Sequence, residues 1–219
     1  MQDVRVARPR SRGGDRQALR ETTHVRADRL LRRKANDPLH DVIRSYQWSG
    51  ILVEPMPGLF EQLVGNYEGV SGLRFFHVAV GGGEGKMTMY SVDPRPEDPN
   101  WVMQLTSFDR DVVMSHSDEL SKLASRIFTV EVESRTVASL IAETDLTNVD
   151  FVHIDAEGFD DQIIRDLPLS ASWAQFLIFE KKHLSRTRYS DLKRLLRQEG
   201  YKVVNLWPDD LASRDPPDE

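Results

Sequence analysis

A single α/β domain is the fold this sequence predicts, with a mostly parallel sheet, helices on both faces and an antiparallel strand at the edge. Three observations predict it. Short apolar runs alternate with amphipathic stretches along most of the 219 residues, as in a sheet whose strands are joined by helices. The runs 51–53, 150–155 and 176–179 are largely apolar, which suits strands covered on both faces. Residues 86–92 instead alternate apolar and polar side chains, as an edge or antiparallel strand does.

Residues 38–48 read as the first helix, because Leu39, Val42, Ile43 and Tyr46 recur at spacings of three and four. Asp37 followed by Pro38 suits a helix cap with proline in the first helical position. Gly50 breaks the helix, 51–53 forms a short buried strand, and Pro55 stops it after Glu54. Leu59, Phe60, Leu63 and Val64 mark a second amphipathic helix that closes near Gly65-Asn66. Residues 74–80 form the next strand, ended by Gly81-Gly82-Gly83. After 86–92 come Pro94, Pro96 and Pro99, and a mobile substrate loop with some helix is expected up to about Leu123. A strand at 127–132 and a short helix at 137–142 follow. The strand 150–155 leads into a helix carrying Ile163, Ile164 and Leu167. The buried strand 176–179 ends at Glu180, and Leu192, Leu195 and Leu196 mark the last long helix. Gly200 ends that helix before a strand at 201–206.

Composition bounds the function. The chain has no cysteine, which excludes disulfides, thiolate catalysis and cysteine metal sites. Hydrophobic residues make up 39% and mean hydropathy is −0.48, values that point to polar ends. Residues 1–34 hold eleven Arg or Lys against four acids, +7, while the other 185 hold 18 basic and 31 acidic groups, −13. A basic, disordered or atypical leader over 1–34, an α/β body over 35–207 and a frayed acidic tail over 208–219 are therefore expected. The acidic body argues against a nucleic-acid groove. No apolar run reaches the roughly 18 residues of a membrane span, and the N-terminus has no apolar signal core, so a cytoplasmic protein without a membrane partner is expected.

The chemistry concentrates in Val152-His153-Ile154-Asp155-Ala156-Glu157-Gly158-Phe159-Asp160, where an apolar strand ends in two carboxylates and a glycine before a helix. Ligands of open α/β sheets bind beyond such carboxyl ends. Period two would place Asp155 and Glu157 on one face if the strand ran that far, whereas Asp155 could equally cap the next helix. Glu54 at another strand tip could accept the two hydroxyl hydrogens of a ribose, or could stand in an exposed turn. His183, in Glu180-Lys181-Lys182-His183, would lie at the mouth of the next strand, although a lone histidine is more often structural. A divalent ion held by Asp155, Glu157, Asp160, Asp161 and His183 would make the chain a metal-dependent hydrolase, but acidic residues at a helix start are usually caps, and no metal is expected.

Taken in order, Gly50-Ile51-Leu52-Val53-Glu54-Pro55-Met56-Pro57-Gly58-Leu59-Phe60 with Leu63 and Asn66, His77-Val78-Ala79-Val80-Gly81, the segment 151–160 and Gly200-Tyr201 resemble the FkbM family of S-adenosylmethionine-dependent methyltransferases. The resemblance covers about 36–204. It implies a Rossmann-like methyltransferase sheet with a reversed final strand, and methyl transfer to an oxygen of a small molecule or sugar. It further implies Glu54 as the ribose acid with Pro55 beside it, Ala79 and Val80 bordering the adenine, and Asp155 and Glu157 near the methyl donor. A hydroxyl acceptor must lose its proton, and Asp155, Glu157 or His183 could take it, Asp155 first for its strand-end position. About 20 residues before Glu54, where a glycine-rich donor loop would stand, the chain has Arg32-Arg33-Lys34 and no glycine. Residues 1 to about 33 are therefore expected not to form a regular first strand and donor loop. Donor binding is expected to be weak or absent, and a catalytically impaired relic or binding module is the alternative to an enzyme.

Overall fold

Strands from both ends of the chain meet in one sheet in the computed structural model, which describes residues 3–8, 39–81, 83–144, 149–169, 173–206 and 208–215. In chain order the strands are β1 (Asp3–Arg8), β2 (Ser49–Val53), β3 (Leu73–Phe76), β4 (Ala79–Val80), β5 (Gly85–Val92), β6 (Thr106–Ser107), β7 (Ile127–Arg135), β8 (Phe151–Asp155), β9 (Phe176–Glu180), β10 (Lys202–Asn205) and β11 (Asp209–Ser213). The helices are α1 (His40–Tyr46), α2 (Pro57–Asn66), α3 (Arg110–Met114), α4 (Val137–Ala142), α5 (Asp160–Arg165) and α6 (Arg186–Gln198). The proposed cap Asp37-Pro38 lies outside the described residues.

The main sheet runs β10-β11-β9-β8-β1-β2-β3. Its inner strands β2, β8 and β9 are largely dry because alternate side chains enter two separate cores. Val152 and Ile154 of β8, with Leu177 and Phe179 of β9, pack against Leu140 of α4, Ile163 and Ile164 of α5 and Leu192 and Leu196 of α6. Phe151, Phe176 and Ile178 point the other way, against Ile43 of α1, Leu63 of α2, Trp48 and Tyr67. Helices thus cover both faces, as the near-continuous apolar runs imply.

The sheet is mixed, which corrects the expectation of a mostly parallel one. The pairs β2–β3 and β8–β9 are parallel, whereas β1–β2, β1–β8, β9–β11 and β10–β11 are antiparallel. The β10–β11 connection is too short for a crossover, which needs a dozen or more residues, so it makes a hairpin. Within the acidic tail expected over 208–219, Asp209–Ser213 is instead β11, whose Leu211 and Ala212 are buried, and 216–219 lie outside the described residues. Its Asp210 is buried in an ion pair with Lys181 and accepts a hydrogen bond from the Tyr189 hydroxyl. Average composition hid a strand with a charge partner waiting in the body.

β1 corrects the picture of the basic leader over 3–8 in the same way, while residues 9–34, where no donor loop is expected, lie outside the described residues. Asp3–Arg8 alternates Val4 and Val6 with charged residues, and Val4 is 1% exposed between the two halves of the sheet. It lies inside the sheet between β2 and β8, with Val4 opposite both Val53 and Ile154. Because it runs against its neighbours, Asp3 faces Asp155 at the carboxyl edge and Arg8 faces Ser49 at the opposite edge. Arg8 therefore stands at the far edge of the sheet from Asp155.

A second sheet, β4-β7-β5-β6, splits the strand expected over 74–80. β3 joins the main sheet, while Ala79 and Val80 pair with Ser134 and Arg135 of β7. The loop with some helix expected up to about Leu123 carries α3 and packs a core of its own. Val102, Leu105, Val113, Leu120 and Leu123 form a small core with Val92. Arg126 ties down the prolines' loop by donating to the Asp93 carbonyl at 3.0 and 3.1 Å and pairing with buried Asp98. Apolar residues too widely spaced for a helix period still share one cluster, and that cluster positions one wall of the site.

Candidate functional site

The turn after β8 sets the site. β8 ends at Asp155, and Glu157 and Gly158 then both adopt left-handed backbone, with φ of 44° and 95°. Simple alternation stops there, so Asp155 and Glu157 reach the same cleft by a turn and not by strand period. The strained Glu157 conformation costs on the order of 1 kcal/mol, and the surroundings hold it. The Ser107 hydroxyl donates to the Glu157 carbonyl at 2.8 Å, and Arg188 donates to the Gly158 carbonyl at 2.7 Å. A Cβ on Gly158 would lie 3.1 Å from Val112 Cγ2 and 3.3 Å from His183 Cβ. Glycine is required here for conformation and for space. The helix-cap role is not taken by Asp155, since the cap position of α5 is Phe159 and no side chain caps it.

Asp155, Glu157 and Glu180 line a cleft of about 250 Å3 with Lys182 and Pro208. Its opposite wall is Trp101, Gln104, Leu105, His116 and Glu119 from the segment that follows β5. β8 and β9 are parallel neighbours, with Ile154 opposite Phe179, so their carboxyl ends bring Asp155 and Glu180 together. His183 stands behind Glu157, its Nε2 3.0 Å from Glu157 Oε2 and 3.8 Å from Glu180 Oε2. His116 packs its ring 5.1 Å from that of Trp101 and 5.6 Å from that of His183.

Electrostatics divide the carboxyls. Burial, followed by the charges of Glu157, Asp155 and Asp160, pushes Glu180 up to about 10. Burial and Asp155 hold Asp160 well above the ordinary carboxylate range, against the Glu180 N–H it accepts at 3.0 Å. Burial works against the charge on Glu157 as well, yet it is held below its usual value, with the hydrogen bond from His183 and the Lys182 charge among the causes. His116 is lowered, chiefly by burial and then by Lys182. The cleft therefore contains an ionised carboxylate, Glu157, beside a carboxylic acid, Glu180, and a neutral imidazole.

The sequence-proposed residues divide into two groups. Asp155 and Glu157 line the cleft, with His183 against Glu157. Glu54 stands at the carboxyl end of β2, with β1 between β2 and β8, which puts it about 10 Å from the end of β8 by strand spacing. It is 2% exposed, and its Oε1 accepts the Met56 N–H at 2.8 Å. Pro55 is buried beside it. Ala79 and Val80 are buried in the cores of the second and main sheets. None of these four lines the cleft.

The metal-ligand set considered from sequence also divides. Asp161 is paired with Arg188 and Asp160 bonds the Glu180 backbone, while Asp155, Glu157 and His183 stay together and are joined by Glu180 and His116. Two groups of three side chains, His116 with Glu157 and His183, and Asp155 with Glu157 and Glu180, each place one ligand atom per residue within 4.8 Å of the others. Sequence reading missed His116 because it lies in a segment without clear period, and missed Ser107 and Arg188 because they act on backbone carbonyls far away in sequence.

The model of the methyltransferase FkbM domain family matches residues 32–203, and the chain belongs to that family. No curated protein and no solved structure matches it. Among the described residues, no helix is long and apolar enough to cross a membrane.

Proposed function

We propose, from this membership and the acidic strand-end cleft, that the chain is an S-adenosylmethionine-dependent methyltransferase acting on a hydroxyl of a small molecule or sugar. The observation that carries the reading is the meeting of Asp155 and Glu157 in one cleft at the carboxyl ends of β8 and β9, the edge where α/β enzymes bind ligands. The residues present suit a cationic donor, since Asp155 and Glu157 bring negative charge to the cleft and Glu54 supplies an acid at the tip of β2. When bound, the donor supplies a methyl group already activated by its sulfonium. Asp155 would accept the proton that the acceptor hydroxyl releases as the methyl group passes from the donor sulfur, whose bond to it breaks, to the hydroxyl oxygen. Glu157, steadied by His183, orients the acceptor, and the Trp101 wall limits water.

A second reading, a binding module with an impaired donor site, is favoured by the antiparallel course of β1. A parallel first strand would deliver its following loop to the Asp155 edge, whereas β1 delivers Arg8 to the opposite edge. Together with the missing glycine before Glu54, this predicts weak donor binding. Transfer of labelled methyl from S-adenosylmethionine to a panel of hydroxylated small molecules and sugars tests the enzyme. Transfer that Asp155→Asn abolishes supports it, and no transfer to any acceptor at millimolar donor rejects it.

A further inference from the structure

We propose that His116, Glu157 and His183 bind one divalent first-row transition ion in the wall of the cleft. Three separate segments bring these side chains together: the stretch after α3, the turn after β8 and the loop after β9. One ligand atom from each lies within 4.8 Å of the others. The His183 Nε2 to Glu157 Oε2 separation is 3.0 Å, and ligands about 2.1 Å from an ion at 90° to 109° stand about 3.0 to 3.4 Å apart. That pair already has the spacing of neighbouring ligands.

His116 supplies the independent sign. Its side chain is 5% exposed, and Nε2 has no hydrogen-bond partner among the described residues, while Nδ1 faces Glu119 Oε1 at 3.4 Å. A buried imidazole nitrogen without a partner is costly, and this one belongs to a ring in the cleft wall, 5.6 Å from the His183 ring and tilted 54° to it. Two rings crossed in this way can aim a nitrogen each at a common point. Asp155 brings a carboxylate oxygen within 4.8 Å of Glu157, and its charge favours a cation there despite the Lys182 ammonium.

The donor set selects the ion. Two imidazoles and a carboxylate suit zinc, manganese, iron or cobalt, whereas magnesium and calcium prefer oxygen ligands throughout. His116 and Glu157 line the same cleft as Asp155. The proposal does not rest on donor binding, and a metal titration contains no donor, so either reading can fail alone.

The test is titration of the tag-free, chelator-treated chain with Co2+, read by its visible d–d absorption, and with Mn2+, read by loss of the free-ion electron paramagnetic resonance signal. The expected result is one ion per chain, a similar titration with Mg2+ giving no competition at equal concentration, and affinity weakened at least about tenfold in His116→Gln and in His183→Gln, as for lost ligand-shell groups. Circular dichroism identifies a variant that does not fold, in which case the other histidine variant gives the reading. No spectral change up to millimolar Co2+, or binding that both folded variants retain, would overturn the site.

Discussion

Replacing Asp160 with asparagine should stabilise the protein, and increasingly so as pH rises. Asp160 is the first residue of α5 and 0% exposed. Its Oδ1 accepts the Glu180 N–H at 3.0 Å, and its Oδ2 has no hydrogen-bond partner among the described residues. Burial and the neighbouring Asp155 and Glu157 charges raise its pKa, and Glu180, itself pushed up to about 10, offers no positive charge in compensation. In the unfolded chain the group titrates near 3.9. Between that value and its raised folded value the folded state holds one proton more than the unfolded state, so stability present at low pH is lost as pH rises. The slope for one such proton is about 1.4 kcal/mol per pH unit. The asparagine amide has no carboxyl proton to lose and keeps an oxygen for the Glu180 N–H. The difference between Asp160→Asn and the parent in urea unfolding should therefore grow by about 1.4 kcal/mol for each pH unit through the lower part of that window. A difference that stays constant from about pH 4.5 to 6.5, just above the unfolded value, would refute the reasoning, because it would mean that Asp160 ionises in the folded state as it does in the unfolded one.

Glu54→Ala should cost about 1 to 3 kcal/mol of stability, because it leaves the Met56 N–H without its acceptor, whereas Glu54→Gln keeps an acceptor and should be nearly neutral in thermal unfolding. Both should weaken donor binding by about 1.5 to 3 kcal/mol if the acid holds the ribose, and unchanged calorimetric affinity in the glutamine variant would remove that role. Gly158→Ala combines a left-handed backbone with a 3.1 Å approach to Val112, so chemical denaturation should show a loss of about 1 to 3 kcal/mol; a neutral result would mean that the turn relaxes freely. Asp155→Asn should reduce turnover at saturating donor and acceptor by at least about a hundredfold while leaving the melting temperature within a few degrees. Unchanged turnover would assign the proton to another group.

Where residues contact what precedes and follows them, the sequence was readable. The i, i+3, i+4 spacing marked the cores of α1, α2 and α6, and the apolar runs marked β2, β8 and β9, because burial on both faces leaves no room for polar side chains. The carboxylates after β8 were legible for a related reason: the sharp change from apolar to acidic marks where a chain leaves the sheet. What was not legible depends on distant partners. β1 looks like part of a basic leader until Val4 is placed between Val53 and Ile154, and β11 looks like an acidic tail until Asp210 meets Lys181. Nothing local distinguishes a parallel from an antiparallel central strand. The same limit applies to the site, where His116 gains meaning only beside His183, and Glu157 is aimed by Ser107, fifty residues away in sequence.

The central claim is that this cleft serves a methyl donor even though no glycine stands about 20 residues before Glu54, and calorimetric titration with S-adenosylmethionine tests it most directly. The account predicts one saturable donor site per chain, displaced by S-adenosylhomocysteine, with a dissociation constant of roughly 0.1 to 1 mM, equivalent to about −5.5 to −4 kcal/mol. Asp155→Asn should still give saturable heat, weakened by the lost charge, while losing transfer. Heat indistinguishable from dilution at several times those concentrations would contradict the account and leave the binding-module reading in its place.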